Sequence, residues 1–473
     1  MKGMSTQEYR IESDLLGSKE VPAEALYGVQ TVRAIENFNI SGNLMSNYPN
    51  FIKGMAITKK AAAIANYELD MIKREQMEAI CQACDELLEG KHHDQFPIDM
   101  IQGGAGTSTN MCANEVIANR ALEIMGHQRG EYKYCSPNDI VNASQSTNDA
   151  YPCSIHLAMV LEHEAFLPHL VEMIGALEKK AHEFKDVIKM GRTQLQDAVP
   201  MTLGQTFSGF AAALRGELKT LNMAAREFLV VNMGATAIGT GICSKPGYSG
   251  ACINALRQVT GWNITLADNL IEATSATSCM IQYSAAMKRL CIKINKMCND
   301  LRLMSSGPRC GLNEINLPQR QPGSSIMPGK VNPVIPEVMN QVCYKVIGND
   351  MTIALASDNG QLELNVMEPV IAYCLFESIR LLTNGLDTLR THCIDGIEAN
   401  VEHCRKMVEN SIGIVTMLNP IIGYKESTKI AKEASETGRG VYELVLEHGI
   451  LTKEQLDWIL QPENMIKPVE IKL

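Results

Sequence analysis

The chain has 473 residues and a mass of 52.0 kDa, with 45% hydrophobic and 20% charged residues, a composition typical of a globular protein with two or three domains. Its net charge of −10, without a basic stripe, makes nucleic acid a poor partner. Because no apolar run approaches about 18 residues and Met1–Asp14 is polar, we expect neither a membrane span nor a secretion signal. The cysteines, 15 in number and spread through apparent helices, indicate reduced thiols in a cytoplasmic protein.

The N-terminal part, residues 1–146, is predicted to be a mainly helical domain with short helices such as 51–68 and 75–89. It contains a polar, glycine-rich segment, Gly103–Asn110, and ends within a second polar segment, Ser144–Asp149. The glycine-rich segment does not continue into the Gly-Lys-Ser/Thr of a nucleotide-phosphate loop. The side chains of Ser144–Asp149 precede a long predicted helix, and on local grounds we expect them to cap it.

Residues 147–401 are predicted to form a central bundle of long helices. Residues 262–306 lack glycine and proline, and apolar residues recur within them at alternating spacings of three and four, which is a heptad seam. The seam consists of Met280, Tyr283, Met287, Leu290, Ile294, Met297, Leu301 and Met304. One helix through this whole segment would be about 65 Å long.

A helix of that length needs long neighbours. They are predicted at 153–189 (interrupted near Pro168), 202–232, 334–357 and 361–384. Because one monomer cannot cover every apolar stripe of such helices, a homo-oligomer is expected. Residues 402–473 are predicted to form a small C-terminal helical domain, in which Thr452–Gln455 has the pattern of a capping box. The fold class is therefore all-α.

Two further polar segments lie in the central part. Gly191–Asp197 is expected directly before a helix. Gly323–Asn332 reads Gly-Ser-Ser-Ile-Met-Pro-Gly-Lys-Val-Asn, in which glycines allow backbone N–H groups to converge as a nest that binds an anion or stabilises an oxyanion. Lys330 adds a positive charge, and Asn332-Pro333 resembles an N-cap followed by the first helical residue. The four segments contain no histidine, and their neutral donors suit a small polyanionic substrate.

On these segments the chain resembles the fumarase/aspartase superfamily, whose signature is the decapeptide Gly323–Asn332. The resemblance covers nearly the whole chain, including Arg10–Gly17 and Asn232–Gly241. The sequence Pro333–Val342 is similar to the aspartate ammonia-lyase branch. Gln194 stands where fumarases and some aspartases carry histidine, and in this it resembles another subgroup of aspartases.

The resemblance implies a three-domain fold with a central long-helix bundle, assembling into a multi-helix tetramer core with active sites drawn from three subunits. It also implies reversible deamination of L-aspartate to fumarate and ammonia without an organic cofactor, leaving activation by a divalent cation open. By family analogy, Ser324 is the general base, with N–H groups around Ile326 and Met327 stabilising its alkoxide. The substrate-binding residues implied are Thr107, Ser146, Thr147 and Ser325 for the β-carboxylate, Thr193, Lys330 and Asn332 for the α-carboxylate, and Asn148, with Thr107 and Gln194, for the amino group.

Two alternatives stay open. A hydratase acting on fumarate is the close rival, because water and ammonia add to the same alkene, although Gln194 and the segment after Pro333 argue against it. A non-catalytic structural member of the superfamily is the other alternative. The intact set of Ser324, Lys330 and Asn332 speaks against that reading.

Overall fold

The described chain, residues 8–466 and residue 468 of a computed structural model, is predominantly helical, and the all-α prediction is confirmed. Residues 1–7, 467 and 469–473 lie outside the described residues. The polar segment Met1–Asp14 is therefore described only from Glu8 onward. The helices are α1 (Val29–Asn37), α2 (Pro49–Glu68), α3 (Arg74–Leu88), α4 (Thr107–Ile124), α5 (Thr147–Glu183), α6 (Leu203–Arg226), α7 (Tyr248–Thr260), α8 (Leu270–Ser275), α9 (Ser278–Met304), α10 (Val334–Asp358), α11 (Glu368–His392), α12 (Val401–Asn410), α13 (Val415–Thr437), α14 (Val441–Glu447), α15 (Lys453–Ile459) and α16 (Pro462–Met465).

Short strands pair in twos beside these helices. Three of the pairs are antiparallel, and β5 with β6 is parallel. The strands are β1 (Tyr9–Asp14), β2 (Gly17–Pro22), β3 (Ile188–Thr193), β4 (Gln196–Thr202), β5 (Val230–Val231), β6 (Thr265–Leu266), β7 (Ile315–Asn316) and β8 (Glu398–Ala399).

The chain divides into two compact units. Unit 1 consists of the chain up to Leu167 together with Lys219–Arg289 and Lys345–Leu381. Unit 2 consists of Pro168–Leu218, Leu290–Tyr344 and the chain from Leu382 onward. The division into domains 1–146, 147–401 and 402–473 stays a prediction.

Each unit has its own apolar core. In unit 1, α2, α5 and α7 bury a cluster that includes Ile57, Leu157 and Leu256. In unit 2, β3 and the C-terminal helices bury another cluster, which includes Met190 and Leu444. The predicted capping box at Thr452 is confirmed, because its hydroxyl accepts the Gln455 N–H and opens α15.

The heptad seam is confirmed as core, but the helix that carries it is shorter than predicted. All eight seam residues are buried, and α9 begins only at Ser278, so it is about 40 Å long rather than 65 Å. Before it, Thr265–Leu266 pair with β5, and the Asn269 side chain caps the separate helix α8. These local hydrogen bonds interrupt a segment that has no glycine or proline to break it.

Three other predicted helices need correction. Helix α5 continues through Pro168, where an interruption was expected. Helix α11 begins at Glu368 rather than at 361, so that Pro369 lies in its first turn, where a missing N–H costs nothing. Helix α6 ends at Arg226, six residues before the predicted end.

All 15 cysteines fall among the described residues and are free thiols, most of them buried. None of the helices in the described part of the chain combines the length and apolar content that crossing a bilayer requires.

Candidate active site

The start of α5 in unit 1 carries three of the predicted binding residues. Ser146 caps the helix as expected, since its hydroxyl oxygen accepts the Asn148 N–H at 3.2 Å. The Asn148 side chain donates to the Ala237 carbonyl at 2.7 Å, and within the described residues its amide oxygen has no hydrogen bond. Thr147 accepts a hydrogen bond on Oγ1 from Asn110 Nδ2 at 3.2 Å. All three side chains are partly exposed.

A buried carboxylate holds this helix start in place. Asp149 accepts the Ser146 N–H at 3.0 Å through Oδ1, and the N–H groups of Gly234 and Thr236 at 3.1 and 2.9 Å through Oδ2. Burial raises the pKa of Asp149 to about 6, against the effect of these donors. The segment 232–236 is thereby tied to the residues that begin α5.

Thr107, the first residue of α4, follows a tight glycine-rich turn in the same unit. Gly104, Ala105 and Gly106 all have positive φ. A Cβ at Gly106 would lie 2.5 Å from the ring of Tyr151, so this position admits only glycine. The Thr107 hydroxyl donates to the Gly104 carbonyl at 2.8 Å, which leaves its oxygen able to accept.

In unit 2, the loop Gly323–Asn332 forms the expected nest. The N–H groups of Ile326 and Met327 donate to Ser324 Oγ at 3.2 and 3.0 Å, so their predicted convergence on this hydroxyl is confirmed. Ser325 and Lys330 are exposed, and neither side chain has a hydrogen bond or ion pair with any other described residue. The loop therefore presents a hydroxyl with two amide donors and, six residues later, a cation.

The base of this loop is pinned. The Gly323 N–H donates to the Lys330 carbonyl at 2.8 Å, and Asn332 Nδ2 donates to the Gly323 carbonyl at 2.8 Å. A Cβ at Gly323 would lie 2.5 Å from the Lys330 oxygen, so only glycine allows this closure. The prediction that Asn332 caps α10 with Pro333 as its first residue is wrong: the helix begins at Val334, and the Asn332 side chain is used to close the loop.

Thr193 and Gln194 also lie in unit 2, but not where they were predicted. The segment Gly191–Asp197 is not directly before a helix. It forms the end of the β3–β4 hairpin, and the strand β4 separates it from α6. Gln194 and Leu195 have φ of 55° and 63°, which makes the two-residue turn that suits twisted strands. Both candidate side chains are exposed at this turn.

The base of the hairpin is held by a buried glutamate that the sequence analysis missed. Glu314 is fully buried and pairs with Lys189 at 2.9 Å and with Arg192 at 2.5 Å. Lys59, wholly buried on α2, was also missed, and burial lowers its pKa to about 7. The segment Met55–Ala65 carries two adjacent lysines, and the sequence does not distinguish the buried Lys59 from its partly exposed neighbour Lys60. Across the described residues, no group of three His, Cys, Asp or Glu side chains could hold a metal ion.

Comparison with known protein families covers the segments that carry the candidate site. Residues 17–348 match a family described as lyase, and residues 414–467 match a family described as the C-terminus of fumarase C. The chain belongs to this lyase family. The predicted resemblance to the fumarase/aspartase superfamily is thereby confirmed.

Curated relatives in the lyase family match over nearly their whole length. An aspartate ammonia-lyase from Pseudomonas canavaninivorans is 57% identical, with 98% of each chain covered. Those from Helicobacter pylori and Escherichia coli are 56% and 55% identical, covering 98% and 97% of this chain and 99% and 96% of theirs.

Solved structures of the lyase family agree with the fold. A Brucella melitensis protein described as fumarate lyase:delta crystallin, bound to cobalt, superposes with a TM-score of 0.95 at 48% identity, covering 98% of this chain and 100% of its own. A class II fumarase from Schistosoma mansoni gives a TM-score of 0.91 at 35% identity over the same shares.

Proposed function

We propose that this chain is a carbon–nitrogen lyase that deaminates L-aspartate reversibly to fumarate and ammonia. The choice of L-aspartate as substrate is supported by relatives named aspartate ammonia-lyase, which are 55–57% identical over nearly the full length. The structural observation that carries the mechanism is the pair of backbone N–H groups on Ser324 Oγ.

The reaction requires removal of a proton from Cβ of aspartate, next to a carboxylate, and such a proton is very weakly acidic. Ser324, as its alkoxide, takes this proton. The electron pair moves into the β-carboxylate, which becomes an aci-carboxylate with two negative charges. The pair then forms the C=C bond as the protonated amino group leaves Cα as neutral ammonia. Preorganised donors that stabilise the doubly charged intermediate supply most of the catalysis, at about 2.7–4 kcal/mol for each donor.

A serine serves as a base only if its alkoxide is stabilised. The amides of Ile326 and Met327 donate to Ser324 Oγ, and these two hydrogen bonds would strengthen as negative charge develops on the oxygen. Lys330 lies in the same pinned loop. We assign Ser324 the role of general base on this basis.

The hydrogen-bond directions support distinct roles in substrate binding. Ser146 and Thr147 each accept an N–H, so their hydroxyl hydrogens are available to the β-carboxylate, with Ser325 as a third donor. Thr107 already donates to a carbonyl, which favours the amino group over the β-carboxylate as its ligand, together with Asn148 and Gln194. Lys330, Thr193 and the second N–H of the Asn332 amide would hold the α-carboxylate.

We further propose that the enzyme is a cytoplasmic homotetramer whose active sites combine segments from three subunits. Free, mostly buried thiols support a reducing compartment. On α10, Met351 and Leu355 are 62% and 59% exposed, and their spacing of four puts them on one face of the helix. Long helices with exposed apolar faces are expected to pack against other copies of the chain.

The test is fumarate absorbance after adding L-aspartate or L-malate to the full-length protein. We expect fumarate from aspartate, and ammonia in equal amount. Fumarate from malate alone would favour the hydratase, to which the likeness of the Schistosoma mansoni fumarase points. No product from either substrate would favour a structural protein.

A further inference from the structure

A buried polar network lies behind the start of α5. The Lys59 ammonium is fully buried and donates to Asn110 Oδ1 at 2.6 Å, Gln145 Oε1 at 2.9 Å and Asn142 Oδ1 at 3.1 Å. Its three hydrogens thus meet three neutral amide oxygens. A buried charge without a direct carboxylate partner is costly, and such a group is kept only where its surroundings satisfy it fully.

The ammonium fixes the orientation of the Asn110 side chain. Three amide oxygens surround the Lys59 nitrogen, which matches an ammonium with three hydrogens to donate, so the amide oxygen of Asn110 faces Lys59 and its NH₂ group faces the other way. Its two hydrogens are donated to Asn142 Oδ1 at 3.1 Å and to Thr147 Oγ1 at 3.2 Å. Asn110 is itself buried and has no remaining hydrogen-bonding group unused.

This geometry sets the polarity of the Thr147 hydroxyl. A hydroxyl has one hydrogen, and once its oxygen accepts from Asn110 that hydrogen points elsewhere. Thr147 is partly exposed at the first position of α5, beside Ser146, whose hydroxyl also accepts an N–H. The positive end of a long helix therefore coincides with two partly exposed hydroxyls whose hydrogens are free to be donated to a ligand.

We propose that Asn110 is a positioning residue that keeps the Thr147 hydroxyl as a donor toward a carboxylate of the substrate, with Lys59 locking the amide in the required orientation. This proposal rests on the proposed function, because the carboxylate is that of aspartate or a similar dicarboxylate. Asn110 acts through Thr147 and does not itself touch the substrate.

Helix α4 offers a matched control. Asn114 lies one turn after Asn110, is equally buried, and also donates to Asn142 Oδ1 at 3.1 Å. It has no hydrogen bond to Lys59 or to Thr147 within the described chain. A substitution at Asn114 therefore disturbs the same network without changing the polarity of the hydroxyl.

The decisive variant is Asn110→Asp. It keeps the size of the side chain and gives Lys59 a charged partner, but it offers Thr147 only an acceptor, so the hydroxyl hydrogen must turn inward. We expect KM for aspartate and the Kd of succinate, measured by calorimetry, to rise about tenfold, the effect of one lost hydrogen bond to a charged group. Asn110→Leu, which removes the donor, is expected to act in the same direction. Asn114→Leu should leave both constants within about twofold of the wild type.

A Thr147→Val background separates positioning from a general effect of charge. Without the hydroxyl, neither Asn110→Asp nor Asn110→Leu should change the succinate Kd further. Three outcomes would overturn the assignment. The Kd could change equally in both backgrounds, or Asn110→Asp could keep the wild-type Kd. Alternatively, every Asn110 variant could unfold while Asn114→Leu folds. Succinate is not deaminated, so its binding tests the role of Asn110 even if the wild-type protein makes no fumarate. Failure to make fumarate would contradict only the proposed function. A wild-type protein that fails to bind succinate would overturn both.

Discussion

At the residue scale, the chemistry depends on which way single hydrogen bonds run. An alcohol in water is a poor base, and Ser324 differs from one through the two amide hydrogens directed at its oxygen. Ser146 and Thr147 also accept, whereas Thr107 donates. Hydroxyls of the same chemical type are thus given different roles by their neighbours, as preorganised electrostatic catalysis requires.

Substitution of adjacent serines tests this division. Ser324→Ala is expected to lower kcat by about 10²–10⁴-fold, the usual contribution of a general base, while the unfolding temperature stays unchanged because the loop is exposed. Ser325→Ala, which removes only a proposed carboxylate donor, should mainly raise KM. Steady-state kinetics on aspartate and thermal unfolding measure both. The reverse pattern, with kcat lost only in Ser325→Ala, would remove Ser324 from its role.

The sequence predicts the nest at Ser324 because its donors are neighbours in the chain and glycine and proline limit the backbone. It does not predict the network of Lys59, whose ligands come from α4 and from the segment before α5, far apart in the sequence. The direction of the Asn110 amide follows only from the position of the ammonium. Long-range satisfaction of a buried charge leaves no local pattern.

At the scale of elements, α4 is held in place by a partly buried ion pair to α3. Glu86 on α3 accepts two hydrogen bonds from Arg120 on α4, at 2.6 and 2.8 Å, and Arg120 also pairs with Glu123 at 2.7 Å. The hydrogen bonds from Arg120, assisted by His92, lower the pKa of Glu86 to about 2 from an ordinary 4.5. Because α4 begins at Thr107, this pair also supports the candidate site.

The pair makes stability depend on pH in a defined window. A carboxyl whose folded pKa is lowered stabilises the fold above its unfolded pKa of 4.5, and this contribution is lost as the pH falls toward 2. Glu86→Gln should therefore lower the free energy of unfolding by about 1.5–3 kcal/mol at neutral pH, and the difference from wild type should shrink through this window. Denaturant titrations from about pH 6 to about pH 2.5 measure it.

The control for this experiment is Glu78→Gln, which breaks an exposed pair with Arg74 and should cost about 0.5 kcal/mol at most. A difference between wild type and Glu86→Gln that stays constant down to the lowest pH would contradict the assigned cause.

Predictions of elements succeeded where periodicity decides and failed where particular turns, caps and long-range contacts decide. The seam of α9 was predicted from its spacing and is buried throughout. The hairpin β3–β4 was not, because its turn, Gln194-Leu195, lacks the Asn-Gly or Asp-Gly that marks such turns. A carboxylate far along the chain, Glu314, fixes its base instead.

At the scale of the whole molecule, activity is expected to depend on assembly. We predict that the double variant Met351→Glu, Leu355→Glu dissociates the proposed tetramer, since burying two carboxylates at a subunit interface is strongly unfavourable. Light scattering after size-exclusion chromatography should report smaller species. Fumarate production should fall with them, because the proposed active sites combine segments from three subunits.

A charge change on the C-terminal helix α13, Lys432→Glu, is the control for that variant. It alters an exposed pair with Glu436 and should leave both assembly and activity intact. A double variant that stays tetrameric would exclude this face of α10 from the interface, and a fully active monomer would refute the shared active site.

The β3–β4 hairpin has a consequence for how such an enzyme evolves. Its stem is secured by Glu314 out of reach of solvent, whereas Gln194 at the tip is exposed. Substitutions at the tip should therefore cost little stability, provided that the new residue tolerates a positive φ. Asparagine, aspartate and histidine do so better than most residues. The substrate contact proposed for Gln194 can therefore change through single substitutions while the fold of the hairpin is kept.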